Sequence, residues 1–360
     1  GLGKLAMMAY DGAEARRRFL QGIELSQEHK DRRYLGPGLA ALGHVALFMG
    51  ELEACLDAAH KSVPIHSDIG HLDGAAIDLG TVGTAHWLSA DFEPAVRAIT
   101  DGLSIARKEK CGRIEAILTL IDCQRLMCLS GYTQATSRAR AVPHVVCDER
   151  LEALFLQVRP GLTFMWRYSP PRYRKTGVTG WAHGVLGWAA LAQGEYDQAL
   201  HALEQAVTAL RTAGDREYEA WALTALGAAA LRMGERATAQ RHLRSALETI
   251  VEVRAHMPLL HLMPIIPLLW ADAEEAELRK RAVELYALAK TQPFVAKSQL
   301  FEDIAGTKIA VAAAGLAPDE LAAAQERGRA LDWWETAERL LIELRELGWS
   351  GLAKVAPDPS

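Results

Sequence analysis

Residues 66–73 read HSDIGHLD and set two imidazoles, His66 and His71, among two carboxylates, Asp68 and Asp73. Imidazole with carboxylate is a donor set for zinc or iron. The spacing works against that chemistry. Side chains that share a helical face are three or four apart, so residues five apart turn away from each other. The segment also falls at a junction between helical stretches, where Asp and His cap helix ends. Cys123 and Cys128 are likewise five apart. Cys123 occupies a place that elsewhere in the chain holds glycine, so its small size accounts for it without redox or metal chemistry. His256 and His261 stand beside prolines in an apolar run and read as packed residues. Glu274, Glu275 and Glu277 read as solvated helix surface.

Other chemistries lack their motifs. The chain holds no GxxxxGK[ST] phosphate loop, no GxGxxG after a strand and no GxSxG elbow. The expectation is a non-catalytic chain with no cofactor and no metal. Its five cysteines are odd in number and lack paired spacing, as expected of reduced thiols in the cytoplasm. The net charge of −5 is too mild and of the wrong sign for a direct nucleic-acid binder. The most apolar run, residues 257–271, carries three prolines and falls short of the roughly 20 residues a spanning helix needs. A soluble cytoplasmic protein without a membrane segment is expected.

The elements that would position any site follow from a repeat. Gly3, Gly43, Gly83 and Cys123 lie forty apart, and twelve residues beyond each stand Ala15, Cys55, Ala95 and Ala135. Gly50, Ala90 and Ser130 keep the same beat. It resumes after a 64-residue step with Gly187 and Gly227, followed at twelve by Ala199 and Ala239. Ala199, Leu203, Ala206 and Leu210 form one amphipathic stripe, and Ala239, Leu243, Ala246 and Ile250 repeat it. Each unit therefore fits two helices broken by a residue such as Gly194. The small residues mark where helix axes approach. A larger side chain there would overpack the contact, at a cost of roughly 1–3 kcal/mol.

The stretch LGWAALAQGEYDQALHALEQAV (186–207) resembles the tetratricopeptide repeat family, and residues 226–247 and 42–63 are weaker copies. The family's period of about 34 is exceeded here by a period of forty, which implies longer helices. The resemblance implies an all-α fold, a right-handed α–α superhelix of about seven helix pairs with a helical C-terminal cap. Its parts are repeats over 1–142, an irregular insert over 143–180, repeats over 181–290 and the cap over 291–360. In the insert, Trp166, Arg167, Tyr168, Arg172 and Tyr173 alternate basic with aromatic groups. That pattern fits either an acidic partner or nucleobase, or a plain structural loop. In the tail, Asp319 and Glu320 after Pro318 mark a helix start, and Asp332 caps the last helix.

The tail is similar to the C-terminal end of bacterial STAND-type signalling ATPases joined to tetratricopeptide repeats, some of them linked to a class III adenylate/guanylate cyclase or a DNA-binding domain. Together with a start at Gly1 inside an ordered pattern, this implies a protein-interaction or sensor region of a larger signalling protein. The attached regulatory domain would be one partner, and a protein or peptide the other. The alternative is a stand-alone scaffold or a peptide receptor of the quorum-sensing kind. The family binds partners on the concave face lined by the first helix of each pair. By register that face takes His44, Phe48, Thr84, Trp87, Gln124, Met127, Trp181, Trp188, Trp221 and Arg232. The tryptophans either line an open groove or fill the superhelix.

Overall fold

A residue in the left-handed region follows helix after helix, on a beat of twenty. The positions are Tyr10, Lys30, Gly50, Gly70, Ala90, Lys110 and Ser130, then Gly194, Gly214, Gly234 and Arg254, with φ between 53° and 82°. The computed structural model describes residues 2–145 and 175–351. Between these turns run α1 (Leu2–Met8), α2 (Gly12–Glu28), α3 (Arg32–Met49), α4 (Leu52–Asp68), α5 (Leu72–Leu88), α6 (Phe92–Lys108), α7 (Gly112–Cys128) and α8 (Tyr132–Val145). After the undescribed stretch come α9 (Lys175–Ala192), α10 (Tyr196–Ala213), α11 (Arg216–Arg232) and α12 (Arg236–Val253).

Each turn solves the same problem, the orphan carbonyls of a helix end. After α2 the Asp31 amide donates to the Ser26 carbonyl at 2.9 Å and the Lys30 amide to Gln27 at 3.1 Å. After α5 the Asp91 amide reaches His86 at 2.8 Å and the Ala90 amide reaches Trp87 at 2.9 Å. This paired pattern requires a left-handed residue, which is why glycine recurs there. At the opposite ends, Asp11 and Asp31 cap α2 and α3 through side-chain bonds to the amides of Glu14 and Arg33.

The chain divides into two compact units. The first takes residues 1–127, 131–186 and 205–215, and the second takes 128–130, 187–204 and 216–360. Within the first, consecutive helices α2 to α6 pack on one another. The forty-residue beat marks their crossings. A Cβ added to Gly83 would lie 2.5 Å from Ile99 Cγ1 and 3.3 Å from the Ala95 carbonyl. At the same step, a Cβ on Gly43 would lie 3.5 Å from the Cys55 carbonyl. In the second unit, Gly227 meets Leu243 and the Ala239 carbonyl, and Gly187 meets Leu203 and the Ala199 carbonyl. Helix α11 is buried almost all round, with Tyr218, Trp221 and the run 220–230 inside.

Beyond α12 the pair loosens. Helix α13 (His256–Ile265) stops near Pro264 and Pro267, a short helix follows at Leu268–Ala271 (α14), and α15 (Ala276–Ala289) completes a unit less regular than those before it. The tail begins with one-turn pieces, α16 (Pro293–Ala296), α17 (Gln299–Phe301) and a π-turn at Glu302–Gly306. Three longer helices follow, α18 (Thr307–Ala314), α19 (Pro318–Ala330) and α20 (Trp333–Gly351). Asp332 caps α20 by accepting from the Glu335 amide at 2.9 Å. Every described element is helical, and no described helix is long and apolar enough to cross a membrane. Helix reaches into both edges of the stretch 143–180, through α8 and α9. Trp166, Arg167, Tyr168, Arg172 and Tyr173 lie outside the described residues.

Candidate functional site

In the first unit, the register set splits by exposure. His44 and Phe48 on α3 and Thr84 on α5 are half-buried. Trp87 on α5, Gln124 and Met127 on α7 and Trp181 on α9 are buried. His44 Nε2 shares a hydrogen bond of 2.9 Å with the Thr81 hydroxyl, which fixes the imidazole across the α3–α5 pair. Thr84 donates back to the Gly80 carbonyl at 2.9 Å, which satisfies its hydroxyl within its own helix. The Tyr10 ring tilts over Phe48, with centroids 5.9 Å apart. Its hydroxyl donates to the carbonyl of Gly214 at 3.4 Å. Tyr10, His44, Phe48 and Thr84 are thus partly exposed, three rings and one hydroxyl.

In the second unit, Trp188 and Trp221 are interior. Trp188 on α9 stacks on Trp221 of α11 with centroids 5.9 Å apart and planes at 26°. His261 of α13 sits amid four rings, 5.4 Å from Trp188, 6.2 Å from Trp221, 5.3 Å from Phe294 and 5.5 Å from Phe301. Its Nδ1–H donates to the Met257 carbonyl at 2.9 Å. Burial pushes the imidazole pKa down to about 4, so the ring is neutral at pH 7. The Trp188 and Trp221 indole N–H groups are buried without a hydrogen-bond partner among the described residues. Arg232 is half-buried and engaged, its Nε donating to the Tyr196 hydroxyl at 2.9 Å and its guanidinium lying 5.5 Å from that ring's centre. Of the two roles open to the tryptophans, Trp87, Trp181, Trp188 and Trp221 take the filling one.

The HSDIGHLD segment brings the His66 and His71 rings to 6.1 Å of each other but does not gather its donors on one point. Asp68 is exposed and pairs with Arg32 at 2.7 Å. His66 is buried and turns the other way, its Nδ1 2.8 Å from Asp78 Oδ2 on α5. The Ser62 hydroxyl lies 2.6 Å from the same carboxylate oxygen and 3.0 Å from the Gly36 carbonyl. Its single proton goes to the carboxylate, the shorter and charge-assisted bond. The imidazole is wedged between two glycines. A Cβ on Gly36 would sit 2.9 Å from its Cδ2, and one on Gly74 would sit 2.9 Å from its Nδ1. Ser, His and Asp here are no nucleophilic relay, which needs the hydroxyl on one ring nitrogen and the carboxylate on the other. Both oxygens converge on Nδ1, while Nε2 is buried without a partner among the described residues. The trio is a polar knot joining α3, α4 and α5. The sequence signal for it was Asp78, the lone carboxylate in the apolar run GAAIDLGTVG. Among the described residues no three of His, Cys, Asp and Glu are placed to hold a metal ion. Burial raises the Cys55 and Cys123 thiols to about 12, which makes them poor nucleophiles.

No protein-family model matches the chain, and no curated protein matches it. A solved structure does. The crystal structure of Rap protein complexed with competence and sporulation factor is similar to this chain with a TM-score of 0.54 and 12% identity, over 89% of this chain and 79% of that one. The chain folds as a tetratricopeptide-like helical solenoid. The forty-residue pairs, the small residues at their crossings and the consecutive packing are the sequence basis of that solenoid.

Proposed function

We propose that this solenoid is a peptide or protein receptor that acts by binding, not by catalysis, in the cytoplasm. The fold neighbour crystallised with a bound factor is the observation that carries this reading. It favours the stand-alone receptor over an arm of a larger STAND ATPase or cyclase, for which the tail's resemblance is the only support. On the chain itself, the partly exposed set Tyr10, His44, Phe48 and Thr84 is the surface left to a partner once the tryptophans are assigned to the core. A largely aromatic surface suits a peptide with a large apolar anchor, since buried aromatics dominate binding energy.

The test is isothermal titration of the whole chain against a panel of short linear peptides, with Phe48→Ala alongside. Saturable binding that weakens about tenfold in the variant supports the reading. Binding that ignores Phe48→Ala moves the site elsewhere. Absence of heat across a panel with apolar and aromatic anchors rejects the receptor.

A further inference from the structure

The left-handed slot at each helix end is most easily filled by glycine, and Gly50, Gly70, Gly194, Gly214 and Gly234 fill it so. Two slots carry large side chains that are engaged far along the chain. Arg254, at φ 55°, lays its guanidinium 4.7 Å from the centre of the Trp334 ring and pairs with Glu338. It thereby ties α20 to the end of α12. Tyr10, at φ 59°, covers Phe48 and donates to the Gly214 carbonyl. Residues 10 and 214 belong to the same compact unit although 204 positions separate them. A backbone outlier that persists with a side chain engaged elsewhere points to a use for that side chain.

The geometry points to Tyr10 as a reversible clasp that closes the first unit on itself between α1 and the segment 205–215. The clasp is built to be weak. Its bond is long at 3.4 Å, and it joins an exposed carbonyl, so water competes for both partners. It also stands over Phe48, so opening uncovers an aromatic ring of the surface proposed for a partner. The clasp itself does not depend on that proposal, and its test uses no ligand.

Hydrogen exchange of the whole chain, read by mass spectrometry, tests it through two variants and a control. Ala90→Gly relieves the same backbone slot at a turn with no clasp, and slows exchange at its own turn. Tyr10→Gly relieves the slot and removes the side chain. If Tyr10 is a clasp, exchange rises about three- to tenfold in Leu2–Met8 and in residues 208–214, while α5 and α6 keep their protection. Tyr10→Phe keeps the ring on Phe48 and deletes the donor, so the same segments speed up about two- to threefold. Slower or unchanged exchange at both ends in Tyr10→Gly overturns the clasp. An unchanged pattern in Tyr10→Phe overturns the hydrogen bond's part in it.

Discussion

The Cys123 thiol donates to the carbonyl of Ala135, twelve residues on, across 3.4 Å. The same step brings Gly83 against the Ala95 carbonyl and Gly227 against the Ala239 carbonyl, each 3.3 Å from where a Cβ would stand. One register of the repeat is therefore a fixed point of helix approach. Glycine fits it by having no side chain, and Cys123 fits it by turning its Sγ–H into a donor to the carbonyl it meets.

That approach is testable at Gly227, where a Cβ would lie 2.6 Å from Leu243 Cγ. Gly227→Ala should lower stability by about 1–3 kcal/mol, because the buried pair must separate or Leu243 must leave its rotamer. Urea unfolding measures it. Leu243→Ala in the same chain should return part of the loss, so that the two changes are not additive.

The left-handed turns give a pair of opposite effects. A Cβ on Gly70 would meet nothing within 4 Å, so Gly70→Ala carries only the conformational cost of φ 75°. That cost is about 1–2 kcal/mol. Ala90 already bears it at φ 59°. Ala90→Gly should stabilise by about 0.5–1 kcal/mol, the strain removed less the entropy glycine loses on folding. Thermal melts of both variants check the sign.

Asp78→Ala should be costly for a different reason. It leaves the buried His66 Nδ1 without its acceptor and removes the nearer acceptor of the Ser62 hydroxyl. A loss of about 1–3 kcal/mol is expected for a buried group stripped of its partner. If denaturation midpoints of Asp78→Ala match the parent chain, the knot contributes nothing to stability.

The neutral His261 makes stability depend on pH. Its pKa is 6.5 when unfolded and about 4 in the fold. Between those values the unfolded chain holds a proton that the folded chain does not, so stability rises with pH across this window. The contribution is fully present above 6.5 and is lost as pH falls toward 4. From pH 7 to pH 5 the loss should be about 2 kcal/mol. His261→Phe keeps an aromatic ring in the cage and removes the proton site. The difference between its unfolding midpoints and those of the parent should therefore change with pH by that amount.

The solenoid was legible in the sequence because small residues at helix crossings leave a periodic trace. The turns were only half legible. Gly50 and Gly194 announce a left-handed residue, whereas Tyr10, Lys30 and Arg254 occupy the same slot with side chains that propensity assigns elsewhere. The inner set was legible as a register but not as a surface. Whether Trp188 lines a groove depends on what stands opposite it, here Trp221 and His261, and His261 comes from a helix broken by prolines. The knot was hidden for a similar reason. His66 invited pairing with the nearby Asp68 and His71, while its partner Asp78 lies one turn of chain and one helix away.

The uniform turns make the modules interchangeable parts. Excising residues 51–90 would join Gly50, a left-handed helix end, to Asp91, the residue that opens the next helix. Ala95 would then stand twelve places after Gly43, where Cys55 stands now. The crossing would be rebuilt from parts already shaped for it, while the Ser62–His66–Asp78 knot, the His44–Thr81 bond and the Arg32–Asp68 pair would go with the module. A chain with this arithmetic can be lengthened or shortened by whole modules, each new junction being a turn it has already made.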